Sequence, residues 1–374
     1  MIRNIIIQNF KSLKNVQLDV SDLNLFTGLN GMGKSSFIQV LLLLRQSYLQ
    51  KLLTRGLSLN GSLTEIGTAR DAFCETGEKD ELLFDIVFDY MSMCWKFAYS
   101  TKEKDETFLP LAESGETNDK LYNEPLFSAD KFKYLSAARI TPKPYYKTSH
   151  YEAAQSNPLG NEGQNTIEYL SLNSRNDIPL ENLSHKNAFS EDKEILPLID
   201  QVEAWLSEIS PGVKLKPSIN LEMRLTNIMY FFKQHSITTR LFRSDNVGFG
   251  LTHVLPVIVA LVSAKPGELI IIENPETNLH PKGQSKLGEL MARTALNGVQ
   301  LFVETHSDHI INGIRITIKE TKLTPDNVAI SYFQRNSDEH ITEICNIGVD
   351  ENGKIMDWPD GFLDEWNNSL FKLI

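Results

Sequence analysis

The chain has no apolar run long enough to cross a bilayer. Its longest, VLLLL at 40–44, falls far short of the ~20 residues of a spanning helix. The N-terminal MIRNIIIQNF is interrupted by Asn4, Gln8 and Asn9, and no small-residue cleavage site follows, so it does not read as a secretory signal. Cysteine is scarce: Cys74, Cys94 and Cys345 are odd in number, scattered and without C-x-x-C spacing. They read as reduced thiols rather than as a disulfide framework or a metal site. These absences together predict a cytoplasmic protein with no membrane partner. Positive charge is also short, and a net charge of −11 argues against a protein that coats DNA generally, though not against a local basic groove. No internal repeat or low-complexity block is visible.

What is present is ordinary globular material, 41% apolar and 23% charged over 374 residues. That suits one large α/β unit with an insertion, or two modest domains. NIIIQNF, NVQLDV and DLNLFTG read as strands, and KSSFIQVLLLLRQSYLQKLL as a helix too apolar for a surface. A hairpin is expected between about 82 and 99, an exposed loop over roughly 101–129, and a helix at NTIEYLSL. EDKEILPLIDQVEAWLSEI reads as an amphipathic helix, TNIMYFF and ITTRLF as a strand pair. From residue 244 the rhythm alternates: helix 251–264, strand 268–273, helix 281–295, strand 299–304, helix 307–320. That order calls for a parallel sheet flanked by helices.

KFKYLSAARITPKPYYKTSHY, 131–151, sets Lys131, Lys133, Arg139, Lys143 and Lys147 among Phe132, Tyr134, Tyr145, Tyr146 and Tyr151. Rings beside cations suit nucleobases or single strands. The same pattern also fits a half-buried strand followed by a tyrosine-bearing loop.

GLNGMGKS, 28–35, fits G-x-x-x-x-G-K-[ST] at every fixed position, after a strand and before a helix. Gly28, Asn30, Gly31 and Gly33 shape a loop whose N–H groups face phosphate, and the helix N-terminus adds positive potential. Lys34 is placed to reach the β- and γ-phosphates of ATP and Ser35 to ligate Mg²⁺, with Ser36 a further candidate for binding the nucleotide. IIIENPETNLHP, 270–281, is a buried strand that ends in Glu273, a second candidate ligand for the metal or else a helix-capping acid. Asn274 follows, where an amide can orient water but cannot accept its proton. Glu276 is the nearest carboxylate able to do so. LFVETHSDH, 301–309, ends a further strand at Glu304, Thr305 and His306; His306 could sense a γ-phosphate, or His306 and His309 could be metal ligands. SDNVGFGL offers Ser244, Gly248 and Gly250 at a helix start, either a second anion-binding device or a glycine-rich turn.

In this order the motifs resemble the ABC-type ATPase heads of the RecF, SMC and overcoming-lysogenization-defect (OLD) group. The match covers roughly residues 1–50 and 240–320. The resemblance implies an α/β ABC-type head with a mainly parallel sheet, an antiparallel β subdomain and a helical insertion at about 101–240. It makes residues 1–320 the head and 321–374 a small cap. Ser244 to Gly250 stand for the signature loop, Asn278 to Pro281 for the D-loop, and His306 for the switch histidine. It further implies ATP and Mg²⁺ as cofactors and a homodimer or higher oligomer formed through the heads. The Q-loop glutamine has no clear position; 63–73 is the segment where it is sought. One helix at about 193–208 leaves no room for coiled-coil arms. No TOPRIM-like D-x-D strand follows residue 320, and no nuclease cluster is visible, so no nuclease activity of its own is expected.

NIGVDENGKIMDWPDGFLDEWNNSLFKLI is similar to the W-P-x-G-F-[FL]-D-E close of bacterial OLD-like ATPases, with Trp358, Pro359, Gly361 and Phe362 as docking residues. Such proteins work in antiphage systems of the Septu or retron-linked kind. The resemblance therefore implies an ATPase that controls a partner nuclease or toxin, and the amide at Asn274 makes slow turnover the expectation. The alternative is a RecF-like DNA-repair ATPase without an effector. A transporter subunit fits less, because LSGGQ is absent.

Overall fold

The computed structural model describes residues 1–374 except 78–79, 101–104, 113–121, 149–156, 191–192, 195, 322, 337–338, 360, 363 and 374. Tyr151 of the basic–aromatic stretch, and Leu363 of the C-terminal pattern, lie outside the described residues. The chain divides into two compact units: Met1–Ser128 with Val328–Gly348 and Ile355–Ile374, and Ala129–Asn327 with Val349–Lys354.

In the first unit, alternating sequences form an antiparallel sheet in the order Leu13–Asp19, Ile2–Phe10, Glu81–Phe88, Ser92–Ala98. Period-two patterning places Ile5, Ile7, Phe84, Ile86 and Phe97 in the interior, with Phe84 edge-on to both Phe10 and Phe97. Strand Leu23–Gly28 is buried along its whole length and runs parallel to Val328–Arg335, which pairs antiparallel with Thr342–Ile347. The helix Lys34–Leu49 packs Phe37 against Phe26 and Phe333. Its density of leucines is explained by burial on nearly all sides. Even Arg45 is buried, its Nη1 donating to Leu126 O at 2.6 Å and Ser128 O at 3.0 Å. Burial pushes that guanidinium down to about 10, so it stays charged at neutral pH.

The expected loop over 101–129 needs correction. Phe108–Pro110 is a strand paired with Gly56–Ser58, and Leu109, Leu126 and Phe127 are buried. The polarity of its middle hid the apolar residues at both ends.

In the second unit, Phe132–Leu135, Leu269–Glu273 and Gln300–Glu304 form parallel strands in that order. Helices Phe249–Val262, Pro281–Leu296 and Asp308–Glu320 alternate with them. Ile270, Ile271 and Ile272 are fully buried, as a strand covered on both faces requires. An antiparallel group pairs Leu225–Gln234 with Val213–Asn220, Ile237–Thr238, Phe242–Arg243 and Tyr146–Lys147. The observed architecture is therefore the α/β fold expected, with parallel strands flanked by helices and an antiparallel portion.

The helix expected from about 191 begins only at Leu198 and ends at Ile209. Pro197 disfavours helical backbone at the preceding residue, and Lys193–Glu194 pairs as a short strand with Phe189–Ser190 instead. No helix among the described residues is long and apolar enough to cross a membrane.

Candidate functional site

The phosphate loop belongs to the first unit. Strand Leu23–Gly28 delivers it, and Gly28 has φ 133°, where a Cβ would collide with the carbonyl oxygen of Phe333. No side chain is tolerated there. After Leu29, Asn30 and Gly31, all exposed, Gly33 leads directly into the helix that starts at Lys34. The first turn of that helix carries no acidic residue, so its N-terminal field is left for an anion. Lys34 is buried, its Nζ donating to Gly28 O at 3.0 Å and Leu29 O at 2.8 Å. Ser35 is exposed and Ser36 half-buried.

Two residues about three hundred positions downstream brace the loop. Arg335 Nη2 donates to Gly31 O at 2.9 Å. The Thr342 hydroxyl lies 2.9 Å from Met32 O and 2.7 Å from Ser12 Oγ, and its N–H donates to Ser12 O. Sequence reading missed both; neither belongs to a local motif. Thr342→Val is expected to cost about 1 kcal/mol in unfolding free energy, since a part-buried carbonyl loses its donor. Denaturant titration checks it.

The acidic cluster belongs to the second unit. Glu273 stands at the tip of its strand, register-opposite Glu304 on the next. Its Oε1 accepts from the Tyr134 hydroxyl at 3.0 Å and its Oε2 from Ala137 N–H at 3.1 Å. Burial pushes its carboxyl up, against the pull of those two donors and of Arg139. Asn274 adopts the left-handed region at φ 44°, and its N–H donates to Glu304 O at 2.8 Å. Glu276 Oε2 accepts from the Thr305 hydroxyl at 2.9 Å, and Oε1 from the His306 N–H at 2.7 Å. Thus Glu273, Glu276 and His306 come together in one constellation, with the His306 side chain exposed beside it.

Arg139 organises this constellation and was not predicted to. It is buried, and its guanidinium donates to Glu273 O and Asn274 O at 2.5 Å each, to Ser136 O at 3.0 Å and to His253 O at 3.2 Å. Four carbonyl oxygens thus share one cation. Arg139→Met is expected to lower unfolding free energy by about 2–3 kcal/mol, because those oxygens lose a charged donor in a partly buried place. A chemical-denaturation curve measures it.

The signature candidates are divided. Ser244 is buried in a short 3-10 turn, Ser244–Asn246, and its hydroxyl donates to Lys143 O at 2.5 Å. Gly248 caps the helix Phe249–Val262 and is exposed. Gly250 lies so close to Asn278 that a Cβ would strike the Asn278 carbonyl oxygen, which ties the glycine-rich start to the Asn278–Pro281 turn.

His253, in the same helix, is buried, and neither ring nitrogen has a well-formed hydrogen bond to a described residue. Burial first, then the nearby Arg139 charge, push the imidazole down to about 4. The unfolded value is about 6.5. Because the folded pKa is the lower, the unfolded state binds more protons between the two. Stability is full above about 6.5 and falls by roughly 2–3 kcal/mol as pH drops through 4. His253→Leu is expected to flatten this acid slope, read from unfolding free energies between neutral pH and pH 4.

What the arrangement can do follows from its donors. Lys34 and the helix N-terminus attract phosphate. In the first unit Ser35 offers a hard oxygen ligand; in the second Glu273 offers another, and each Glu276 oxygen keeps a lone-pair site beyond the bond it accepts. A solved structure shares the fold. The chain matches a crystal structure of an SMC head bound to the C-terminal winged-helix domain of ScpA with TM-score 0.51 and 11% identity, covering 93% of this chain and 97% of that one. An SMC head domain from Thermotoga maritima aligns with TM-score 0.47 and 11% identity over 93% of this chain and 99% of that one. No curated protein matches the chain. Residues 323–373 match a family described as a protein of unknown function (DUF3696). Residues 23–312 match the family described as AAA domain, putative AbiEii toxin, Type IV TA system. That match takes in the phosphate loop, Glu273, Glu276 and His306, and the chain belongs to this family of AAA-type ATPase domains.

Proposed function

We propose that this protein binds ATP, hydrolyses it slowly, and uses the nucleotide state to control a partner nuclease or toxin in bacterial antiphage defence. The family's description as a putative toxin of a toxin–antitoxin system supports the defence setting. On this reading the protein acts in the cytoplasm, as a dimer or higher oligomer of ABC-type heads, with the Ser244–Gly250 segment as the signature that meets a second copy's nucleotide.

Asn30, Gly31, Gly33 and Ser36 shape the phosphate cradle, and Lys34 neutralises phosphate charge. Ser35 and Glu273 would hold Mg²⁺, and their hydroxyl and carboxylate oxygens fit so hard a cation. When bound, the ion offsets charge on the phosphates. Glu276 orients the attacking water and takes its proton, held in place by Thr305 and by the His306 N–H. His306 itself reports on the γ-phosphate.

The observation that carries the slow-turnover reading is Asn274. It follows the strand-end acid, cannot accept a proton, and has both backbone polar groups engaged, by Glu304 O and by Arg139. The general-base role then falls to Glu276, whose two oxygens already accept hydrogen bonds. The effector half is tested by co-purification with the product of the neighbouring gene. Retention that changes with ATP supports the control of a partner. A protein that keeps no partner in either state, and instead binds DNA tightly, contradicts it.

A further inference from the structure

The cations and tyrosines of residues 131–151 acquire a shape in the second unit. Residues 138–141, 143 and 145–148, with Glu162, Gln164 and Asn165, wall a pocket of about 690 Å³, within the usual range of small-ligand sites. Tyr145 is exposed over 59% of its surface, and Lys143 and Lys147 are exposed on the same segment. The opposite chemistry comes from the other wall. Glu162 brings a carboxylate. Asn165 is only 3% exposed, yet its side-chain oxygen accepts no hydrogen bond from any described residue. A buried acceptor left unpaired is costly unless something completes it.

We propose that this pocket binds a nucleobase together with its attached phosphate. The ring stacks on Tyr145, the phosphate takes Lys143 and Lys147, and N–H groups on the base edge donate to Glu162 and Asn165. That chemistry is common to a free nucleotide and to an unpaired base of a single strand. The pocket wall also touches both segments assigned above to ATP. Arg139, on the wall, holds Glu273 O and Asn274 O, and Lys143 O receives the Ser244 hydroxyl. A ligand that fixes the wall therefore acts on the acid strand and the signature turn together. This consequence rests on the proposed ATPase reading; the binding does not.

The test uses the full-length protein carrying Lys34→Ala, so that binding at the phosphate loop is weakened, and the pocket's share is read as the part that Tyr145→Ala removes. Fluorescence anisotropy is followed with a labelled single strand of about 12 nucleotides and, separately, with labelled adenosine 5′-monophosphate. Binding of at least one probe is expected, weakened about tenfold by Tyr145→Ala, whose exposed site leaves the unfolding midpoint unchanged. Binding of the strand identifies a nucleic acid as the source, and binding of the monophosphate alone identifies a small nucleotide. For the strand, Lys143→Ala with Lys147→Ala removes the contact to one phosphate and should make the slope of log affinity against log salt shallower by about 0.7. If neither probe binds, or if the bound probe is indifferent to both the tyrosine and the lysine substitutions, the proposal is overturned.

Discussion

Glu276→Gln is expected to lower ATP turnover by about 10²–10⁴ while leaving ATP binding intact, the loss associated with removing a general base. Glutamine preserves the side-chain shape and one acceptor, so it can still receive the Thr305 hydroxyl or the His306 N–H, now at 2.9 and 2.7 Å on the carboxylate. It cannot take a proton from water. The separation of binding from turnover is what distinguishes this role from a structural one. If the carboxylate merely fastened Thr305 and His306, the variant would weaken stability and leave the turnover of the folded fraction near that of the parent. Turnover assays and nucleotide binding on the same preparation read the two apart.

Lys34→Ala is expected to have the opposite signature, a loss of ATP affinity and of turnover together by about 10²–10³, the scale of removing one aligned charged donor. The helix N-terminus and the loop N–H groups remain, so weak binding to phosphate persists. Lys34 is buried, and its ammonium donates to Gly28 O and Leu29 O. The substitution therefore also removes two donors from the loop. Thermal unfolding without nucleotide accounts for that part. Isothermal titration with MgATP then isolates the affinity.

Much of the fold was legible because its determinants are local. Period-two apolar residues made Ile2–Phe10 and Glu81–Phe88 readable as strands, and the αβ rhythm after residue 244 gave three helices and two strands with boundaries off by one or two residues. The strand tips were legible for the same reason, since an apolar run ending in an acid marks itself. Where Pro197 interrupts an otherwise helical pattern, periodicity overran the true start of Leu198–Ile209. Polar composition likewise concealed Leu109, Leu126 and Phe127.

The support of the site was the illegible part. Arg139 and Tyr134 lie more than a hundred residues before the strand end they hold, and Arg335 and Thr342 some three hundred after the loop they brace. Their partners are backbone carbonyls, carboxylates and hydroxyls that any sequence supplies. Nothing in the spacing announces such contacts, and only pairing of distant strands creates them. The basic–aromatic stretch was noticed as chemistry, but its first half turned out to serve the acid strand: Lys133 is buried against Glu268 at 2.5 Å, and Arg139 is committed to carbonyls. Of the cations and rings with which that stretch walls the pocket, Lys143, Tyr145 and Lys147 remain exposed.

The measurement that bears most directly on a nucleotide switch of slow turnover is the ATP turnover number of the purified full-length protein, taken with its ATP affinity. The account predicts firm binding with turnover well below about 10 s⁻¹, the typical enzyme value, and a further fall in Glu276→Gln. Turnover at or above about 10 s⁻¹ that persists in Glu276→Gln would contradict it.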